Sequence, residues 1–180
     1  MSSVQFLIST IFDLYLMVVI LRLWLQFARA DFYNPFSQFV VKATHPIVGP
    51  LRRILPSIGR LDTATLVLAF LVAGLKLVVL SYVVNGTGIN PLSLIIVSSV
   101  IVLKETITVI MYTLILRAIM SWVSQGRSPM ELVLNQLTEP MLAPIRRRLP
   151  EMGGLDLSVM VVILLLLFLQ KLLGDIFGIF

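Results

Sequence analysis

The chain alternates four long apolar stretches with more polar segments, and the stretches lie at about 4–28, 63–84, 92–123 and 157–174. A transmembrane helix needs roughly 20 mainly apolar residues, because each residue adds about 1.5 Å across a hydrocarbon core of about 30 Å. All four stretches are long enough. The third exceeds this length, so it must tilt, break or begin outside the hydrocarbon. The pattern predicts an all-α membrane protein with four transmembrane helices.

Two polar segments, 29–61 and 124–156, contain apolar residues at the spacing of an amphipathic helix. These residues are Phe36, Phe39, Val40 and Ala43 in the first segment and Met130, Val133, Leu134 and Leu137 in the second. We also predict a second short helix at 51–55, where Leu51, Ile54 and Leu55 are apolar beside two arginines. The prolines at 46, 50 and 56 should divide the segment into short rigid pieces. Such helices either lie in the headgroup plane or pack on one another as a small cap.

The polar segments contain an internal repeat. Residues 44–62 align without a gap to residues 138–156, and ten of nineteen positions are identical. Each copy crosses the membrane twice, so a pseudo-two-fold axis should run along the membrane normal. We therefore predict two tandem repeats, 1–90 and 91–180, each built as helix, amphipathic segment and helix. The repeat-matched residues with structural roles are Arg22, Arg117, Pro46, Pro140, Pro50, Pro144, Gly59, Gly153, Asp62 and Asp156.

Local backbone chemistry suggests what the matched residues do. The glycines supply a turn, since glycine adopts conformations closed to other residues. Asp62 and Asp156 lie where the next spans begin, where a carboxylate can accept hydrogen bonds from the first helical turn. Arg22 and Arg117 should hold the polar segments against the spans, by donating to carbonyl groups around 46–56 or to the two aspartates.

The duplicated motifs resemble those of the YggT family. The resemblance is carried by a Leu-Arg pair before a tryptophan, by Thr-x-Pro-x-x-x-Pro-x-Arg-Arg at 44–53, and by a proline and Gly-x-Leu-Asp at 56–62, with a second copy in the second repeat. It implies a small integral membrane protein with no established enzymatic activity. It also implies links to cytochrome cofactor assembly for plastid members, and to cell division or osmotic and ion homeostasis for bacterial relatives.

Basic residues are concentrated in the two polar segments, which hold nine of the fourteen Lys and Arg residues. The positive-inside rule then places both segments in the cytoplasm and both termini outside. The resemblance to the family implies that the membrane is a bacterial cell inner membrane. The candidate face for anionic lipids or a protein partner consists of Arg52, Arg53, Arg146, Arg147 and Arg148. A net charge of +5 could suggest nucleic acid, but basic residues beside apolar spans fit lipid headgroups better.

Five ionisable residues lie deep within the apolar stretches, whereas Arg22 and Arg117 are nearer the cytoplasmic ends. The five are Asp13, Lys76, Lys104, Glu105 and Lys171. A charge inside a bilayer is costly unless it is paired or hydrated, so each is a functional candidate. Residue counts from the cytoplasmic helix ends place them at one depth, which predicts a charged layer. In this layer Asp13 should pair with Lys76, and Glu105 with Lys171. Such pairs can fix helix register or form a conduction or binding site, and lysines can instead snorkel to the interface.

Composition narrows the function classes. The chain has no cysteine, which excludes disulfides, thiolate metal sites and cysteine nucleophiles. Its one histidine, His45, stands apart from other metal ligands, so we expect no catalytic, cofactor or metal site. An enzyme would need a nucleophile or metal that the paired arginines and aspartates lack. The favoured interpretation is a scaffold or assembly factor with lipid and protein partners, and the alternative is a small homo-oligomeric ion channel or transporter using the charged layer.

Overall fold

The computed structural model describes residues 2–86, 88–123, 128–148 and 156–178, with the backbone but not the side chain of Asn85. Helices account for most of these residues. They are α1 (Ser3–Phe27), α2 (Pro35–Ile54), α3 (Thr63–Asn85), α4 (Pro91–Val123), α5 (Pro129–Arg146) and α6 (Leu157–Phe177). The described part of the chain contains no β-strand beyond an isolated bridge between Ile58 and Leu61.

Four helices, α1, α3, α4 and α6, are long and apolar enough to cross a membrane. This confirms the all-α prediction with four candidate spans. The last span continues to Phe177, three residues beyond the predicted end, so it also includes Asp175. The long third span is one unbroken helix of 33 residues. Its length is about 50 Å at about 1.5 Å per residue, so it must tilt or extend beyond the hydrocarbon.

Helix ends follow local chemistry. Ser2 and Gln5 form a capping box at the start of α1, in which each side chain bonds the other residue's backbone N–H. The third helix begins after Asp62 and ends at Gly86, whose φ of 63° is a left-handed conformation that suits glycine. The predicted glycine turn before α3 is present, because Gly59 has a φ of 60°. Its repeat partner Gly153 lies outside the described residues.

The prolines inside α2 and α5 do not divide the polar segments, so the prediction is wrong for them, whereas Pro56 does follow the end of α2. Helix α2 continues through Pro46 and Pro50, and α5 continues through Pro140 and Pro144. A proline inside a helix removes the hydrogen bond to the carbonyl four residues earlier. In α2 these carbonyls belong to Lys42 and Pro46, both on the exposed side, where water or headgroups can satisfy them. Residues 51–54 are accordingly the last turn of α2, and no separate short helix follows.

The buried face of α2 differs from the predicted stripe. It consists of Ser37, Val40, Thr44 and Val48, with Phe36 packed alongside. Phe39 is 62% exposed and Ala43 is also exposed, so these two residues of the predicted stripe face away from the spans. In α5 the predicted stripe faces the spans, since Val133, Leu134 and Leu137 are buried and Met130 is half-buried. The sequence period identified both helices, but two adjacent apolar faces on α2 could not be told apart.

The spans pack unequally. Helix α4 packs against both α1 and α3, whereas the main contacts of α6 are with α4 and α5. A two-fold axis relating the repeats would pair α6 with α1 as it pairs α3 with α4. The helix contacts among the described residues therefore do not show the predicted pseudo-two-fold arrangement. The principal core lies where α1 and α3 meet and includes Leu16, Val19, Leu68 and Ala69.

Candidate functional site

Arg22 ties α2 to the first span. It lies on α1 and is only 3% exposed. Its Nη1 donates to Thr44 Oγ1 at 2.6 Å and to the Val41 carbonyl at 3.2 Å. The hydroxyl of Thr44 in turn donates to the carbonyl of Val40 at 2.8 Å. Arg22 thus holds the polar segment as predicted, but its partners lie a few residues before 46–56 and do not include Asp62.

Asp62 joins α2 to the second span. Its buried carboxylate caps α3 by accepting from the N–H of Thr65, and it receives the Thr65 hydroxyl at 2.5 Å. Arg52 donates its Nη2 to Asp62 Oδ2 at 2.5 Å, and the same Nη2 donates to Gln26 of α1 at 2.6 Å. Burial by itself would raise the pKa of Asp62, but hydrogen bonds from Arg52 and Thr65 outweigh it and lower that pKa.

The second repeat makes matching contacts. Arg117 of α4 donates to Thr138 at 2.6 Å, and Arg146 donates to Asp156 at 2.7 Å. Asp156 caps α6 through the N–H of Ser158. Glu139 has no acidic counterpart in the first repeat, where His45 stands, and it accepts from both arginines. We call these two sets of contacts the arginine anchors: Arg22, Thr44, Arg52 and Asp62 in the first repeat, and Arg117, Thr138, Arg146 and Asp156 in the second.

The arginine anchors include two of the five arginines that the sequence predicts to form the face for lipids or partners. Arg52 and Arg146 donate to the carboxylates that cap the spans, so their charge is largely used within the protein. Hydrogen bonding to Asp156 raises the pKa of Arg146, which stays protonated. Arg53, Arg147 and Arg148 are exposed and remain available to lipids or partners. The proposed face is therefore narrower than the sequence indicates.

A cluster of charges lies within the spans. Lys76 Nζ of α3 donates to Asp13 Oδ1 of α1 at 2.6 Å, which is the predicted pairing. The other carboxylate oxygen of Asp13 accepts from Ser9, one turn earlier. Lys104 and Glu105 of α4 lie within electrostatic range of both Asp13 and Lys76. We call Asp13, Lys76, Lys104 and Glu105 the charged cluster.

Lys171 does not belong to this cluster, so its predicted pairing with Glu105 is wrong. Lys171 pairs with Asp175 on its own helix at 2.8 Å, and its side chain is 78% exposed. The neighbouring residue Gln170 faces α4 instead, where its amide donates to Thr108 at 2.9 Å. Adjacent residues point about 100° apart on a helix, so Lys171 is directed away from α4. Residue counts gave a depth but could not give this rotation.

Comparison with known proteins places the chain in a family. The CCB3/YggT family model matches residues 1–83 and again 94–177. The chain belongs to the CCB3/YggT family. Family relatives include the uncharacterized protein in the proC 3′ region of Vibrio alginolyticus, 56% identical over 179 residues that cover 99% of this chain and 97% of the relative. The YggT protein of Escherichia coli K12 is 52% identical over 167 residues, 92% of this chain and 86% of the relative. No solved structure matches the chain.

Several side chains of the anchors were missed by sequence reasoning. Thr44 and Thr138, which receive the arginines, were counted only as identical positions of the repeat. The signal in the sequence was a threonine that is identical in both copies. Both threonines are fully buried, and a buried hydroxyl is normally hydrogen-bonded. Gln26 and Glu139 carry no such signal, because neither has an identical residue in the other copy.

Proposed function

We propose that this member of the family is a non-enzymatic scaffold or assembly factor of the bacterial inner membrane. One observation carries the proposal: α2 is fixed to the spans by the arginine anchor yet keeps a long apolar face exposed. That face contains Phe39, Ala43, Ile47 and Ile54. A helix with a buried face, a polar face and an exposed apolar face is suited to lie in the membrane interface.

The three faces of α2 follow from its sequence. At 3.6 residues per turn, Val40, Thr44 and Val48 point to the spans, and Phe39, Ala43 and Ile47 point about a quarter-turn away. Exposed Lys42 and Arg53 flank the apolar face on its other side. Apolar side chains can therefore enter the acyl boundary while the cations meet lipid phosphates. In α5 the residues matching Phe39 and Ala43 are Val133 and Leu137, which are buried, so α2 offers the larger surface.

The proposal includes a topology and a set of partners. Both polar segments face the cytoplasm and both termini lie outside, following the placement of basic residues. Anionic lipids bind along α2, and a membrane or cell-division protein docks on the surface formed there. Homo-oligomers are compatible with this arrangement. Cell division, cofactor assembly and osmotic homeostasis are the processes in which we place such a scaffold.

Charge reversal on α2 tests the lipid interaction. In nanodiscs, phosphatidylglycerol should raise the melting temperature of the wild type relative to phosphatidylcholine, and Lys42→Glu/Arg53→Glu should lose most of this effect. Each cation near an anionic surface contributes about 1 kcal/mol, so reversing two gives a measurable change. Both proteins should melt alike in phosphatidylcholine alone, since neither side chain belongs to an anchor.

Equal stabilisation of both proteins by phosphatidylglycerol would refute lipid binding by α2.

The topology has its own test, because the chain contains no cysteine. Single-cysteine variants Ser57→Cys and Asn90→Cys can be treated with an impermeant thiol reagent in intact spheroplasts. We expect labelling at position 90 and protection at position 57, and the reverse pattern would overturn the orientation.

A small channel or transporter is the second candidate, and the charged cluster favours it. The cluster joins two acidic and two basic side chains from α1, α3 and α4. Charges inside a membrane often mark ion or proton pathways. Conduction would require homo-oligomers, because a bundle of four short helices encloses little water.

Ion flux in proteoliposomes separates the two candidates. A channel predicts flux that Lys76→Ala abolishes and that Lys171→Ala, outside the cluster, leaves intact. Scaffolding predicts that wild type and both variants match protein-free liposomes. Flux that depends on Lys76 would therefore overturn the scaffold proposal, and uniform absence of flux would discard the channel.

A further inference from the structure

The two arginine anchors differ in charge at one position of α2 and α5. In the second repeat this position is Glu139, whose carboxylate accepts from Arg117 Nη2 at 3.0 Å and from Arg146 Nη1 at 2.9 Å. In the first repeat the matching residue is His45. Its exposed side chain lies beside Gly49, one turn further along α2. The first anchor therefore lacks the carboxylate that bridges the two arginines of the second.

The nitrogen atoms that Glu139 satisfies in the second repeat have no acceptor in the first. Within the described part of the chain, Arg22 donates through Nη1 alone, and Arg52 donates through Nε and Nη2. Arg22 Nη2 and Arg52 Nη1 are left without an acceptor. Arg22 is only 3% exposed, and a buried donor without an acceptor is costly.

A cavity of about 360 Å³ lies beside these two arginines, and we call it the arginine pocket. Its lining consists of Arg22, Gln26, Phe32, Val41 and Arg52, none of which carries a carboxylate. Gln26 Oε1 accepts from Arg52 at 2.6 Å, so the amide Nε2 of Gln26 is a further donor in the lining. The second repeat also contains a cavity, which Arg117 lines, but there Glu139 accepts from the matched donors.

The charges around the arginine pocket favour an anion. Arg22 and Arg52 lie within electrostatic range of each other, and the carboxylate of Asp62 lies within the same range. Two positive charges and one negative charge leave a net charge of +1. In the second repeat two arginines face two carboxylates, those of Asp156 and Glu139, and the net charge is zero. One bound anion with a single charge would balance the first repeat as Glu139 balances the second.

We propose that the arginine pocket binds one phosphate group, which is carried by a phospholipid headgroup or present as free phosphate. Its oxygens accept from Arg22 Nη2, Arg52 Nη1 and Gln26 Nε2, because the planar fork of a guanidinium matches the geometry of phosphate. Phe32 is 41% exposed and adds an apolar surface that lipid chains can contact. The site is separate from the face of α2 that presents Lys42 and Arg53, and either can exist without the other.

Native mass spectrometry of the full chain, stripped of lipid in detergent, tests this proposal. The protein is offered phosphatidylglycerol and, separately, diacylglycerol, which has the same chains and no phosphate. Relative to wild type, His45→Glu should lose one bound phosphatidylglycerol per chain, with an affinity about tenfold lower, because the new carboxylate takes two charge-assisted hydrogen bonds from the arginines. His45→Gln has a side chain of similar length without the charge and should bind like the wild type.

The reciprocal change in the second repeat keeps the proposal testable if His45→Glu fails to fold. Glu139→His removes the carboxylate from Arg117 and Arg146 and should let the chain bind one additional phosphatidylglycerol. Lys42→Glu/Arg53→Glu acts on the exposed face of α2 and should leave the lipid in the arginine pocket bound. Failure of lipid binding by the α2 face is therefore distinguishable from failure of this site.

Calorimetric titration with inorganic phosphate separates the two sources of the phosphate group. Inorganic phosphate that binds to wild type and not to His45→Glu, with no matching difference for phosphatidylglycerol, assigns the pocket to free phosphate. A difference confined to phosphatidylglycerol assigns it to a lipid headgroup. If wild type and His45→Glu bind both probes equally, or if wild type retains diacylglycerol as well as phosphatidylglycerol, the proposal is wrong.

Discussion

Replacing Arg22 with alanine is expected to destabilise the protein by about 3 kcal/mol, the upper range for hydrogen bonds made by a charged group. The guanidinium is buried and donates to both Thr44 and the Val41 carbonyl, so its removal leaves a buried hydroxyl and a gap between α1 and α2. For a chain of this size the melting temperature should fall by about 10 °C. Fluorescence-detected size-exclusion chromatography after heating measures this directly.

Arg117→Ala is the matched control in the second repeat. Its side chain is more exposed than that of Arg22, and its acceptor Glu139 is exposed to solvent. Water can replace part of what is lost, so the drop in melting temperature should be clearly smaller. Arg22→Lys should fall between wild type and Arg22→Ala, because an ammonium cannot reproduce the fork geometry of the guanidinium. An Arg22→Ala protein that melts like the wild type would show that the anchor does not hold α2.

The spans could be predicted from sequence because length and apolar content decide whether a helix can cross a membrane. The ends of α3 could also be predicted, since Asp62 and Gly86 are residues that start and stop helices. The continuity of α2 could not be predicted. Whether a proline breaks a helix depends on whether another partner can reach the carbonyl that loses its hydrogen bond, and Lys42 is an exposed residue. Its exposure is set by how α2 packs against the spans, which the local sequence does not contain.

In the candidate site, too, some contacts could be predicted from the sequence and others could not. Asp13 and Lys76 could be paired from their common depth and from their positions on the two spans of one repeat, because opposite charges in lipid attract strongly. Lys171 could not be placed, since rotation about the axis of α6 depends on the bond from Gln170 to Thr108. The repeat located the arginine anchors, but its symmetry concealed the differences between copies.

Asp62 should make the stability of the protein depend on pH in acid. Its pKa in the folded protein is lowered, since hydrogen bonds from Arg52 and Thr65 outweigh the effect of burial. The ordinary aspartate pKa is about 3.9. A carboxylate with a lowered folded pKa contributes its full stability above the ordinary value and loses it as the pH falls through the folded value. Asp62→Asn removes this contribution while keeping a residue that can cap a helix.

Melting curves of wild type and Asp62→Asn between pH 7 and pH 3 test this expectation. At pH 7 the variant should be less stable by about 2–3 kcal/mol, below the full cost of breaking a buried ion pair because Arg52 is partly exposed. The difference in stability between wild type and Asp62→Asn should stay constant down to about pH 4 and then become smaller, as the wild-type carboxylate becomes protonated. Asp156→Asn is the matched control, and its exposed carboxylate should give a smaller gap of the same sign. A gap that is absent at pH 7, or that widens in acid, would mean that the bond between Arg52 and Asp62 does not stabilise the junction of α2 and α3.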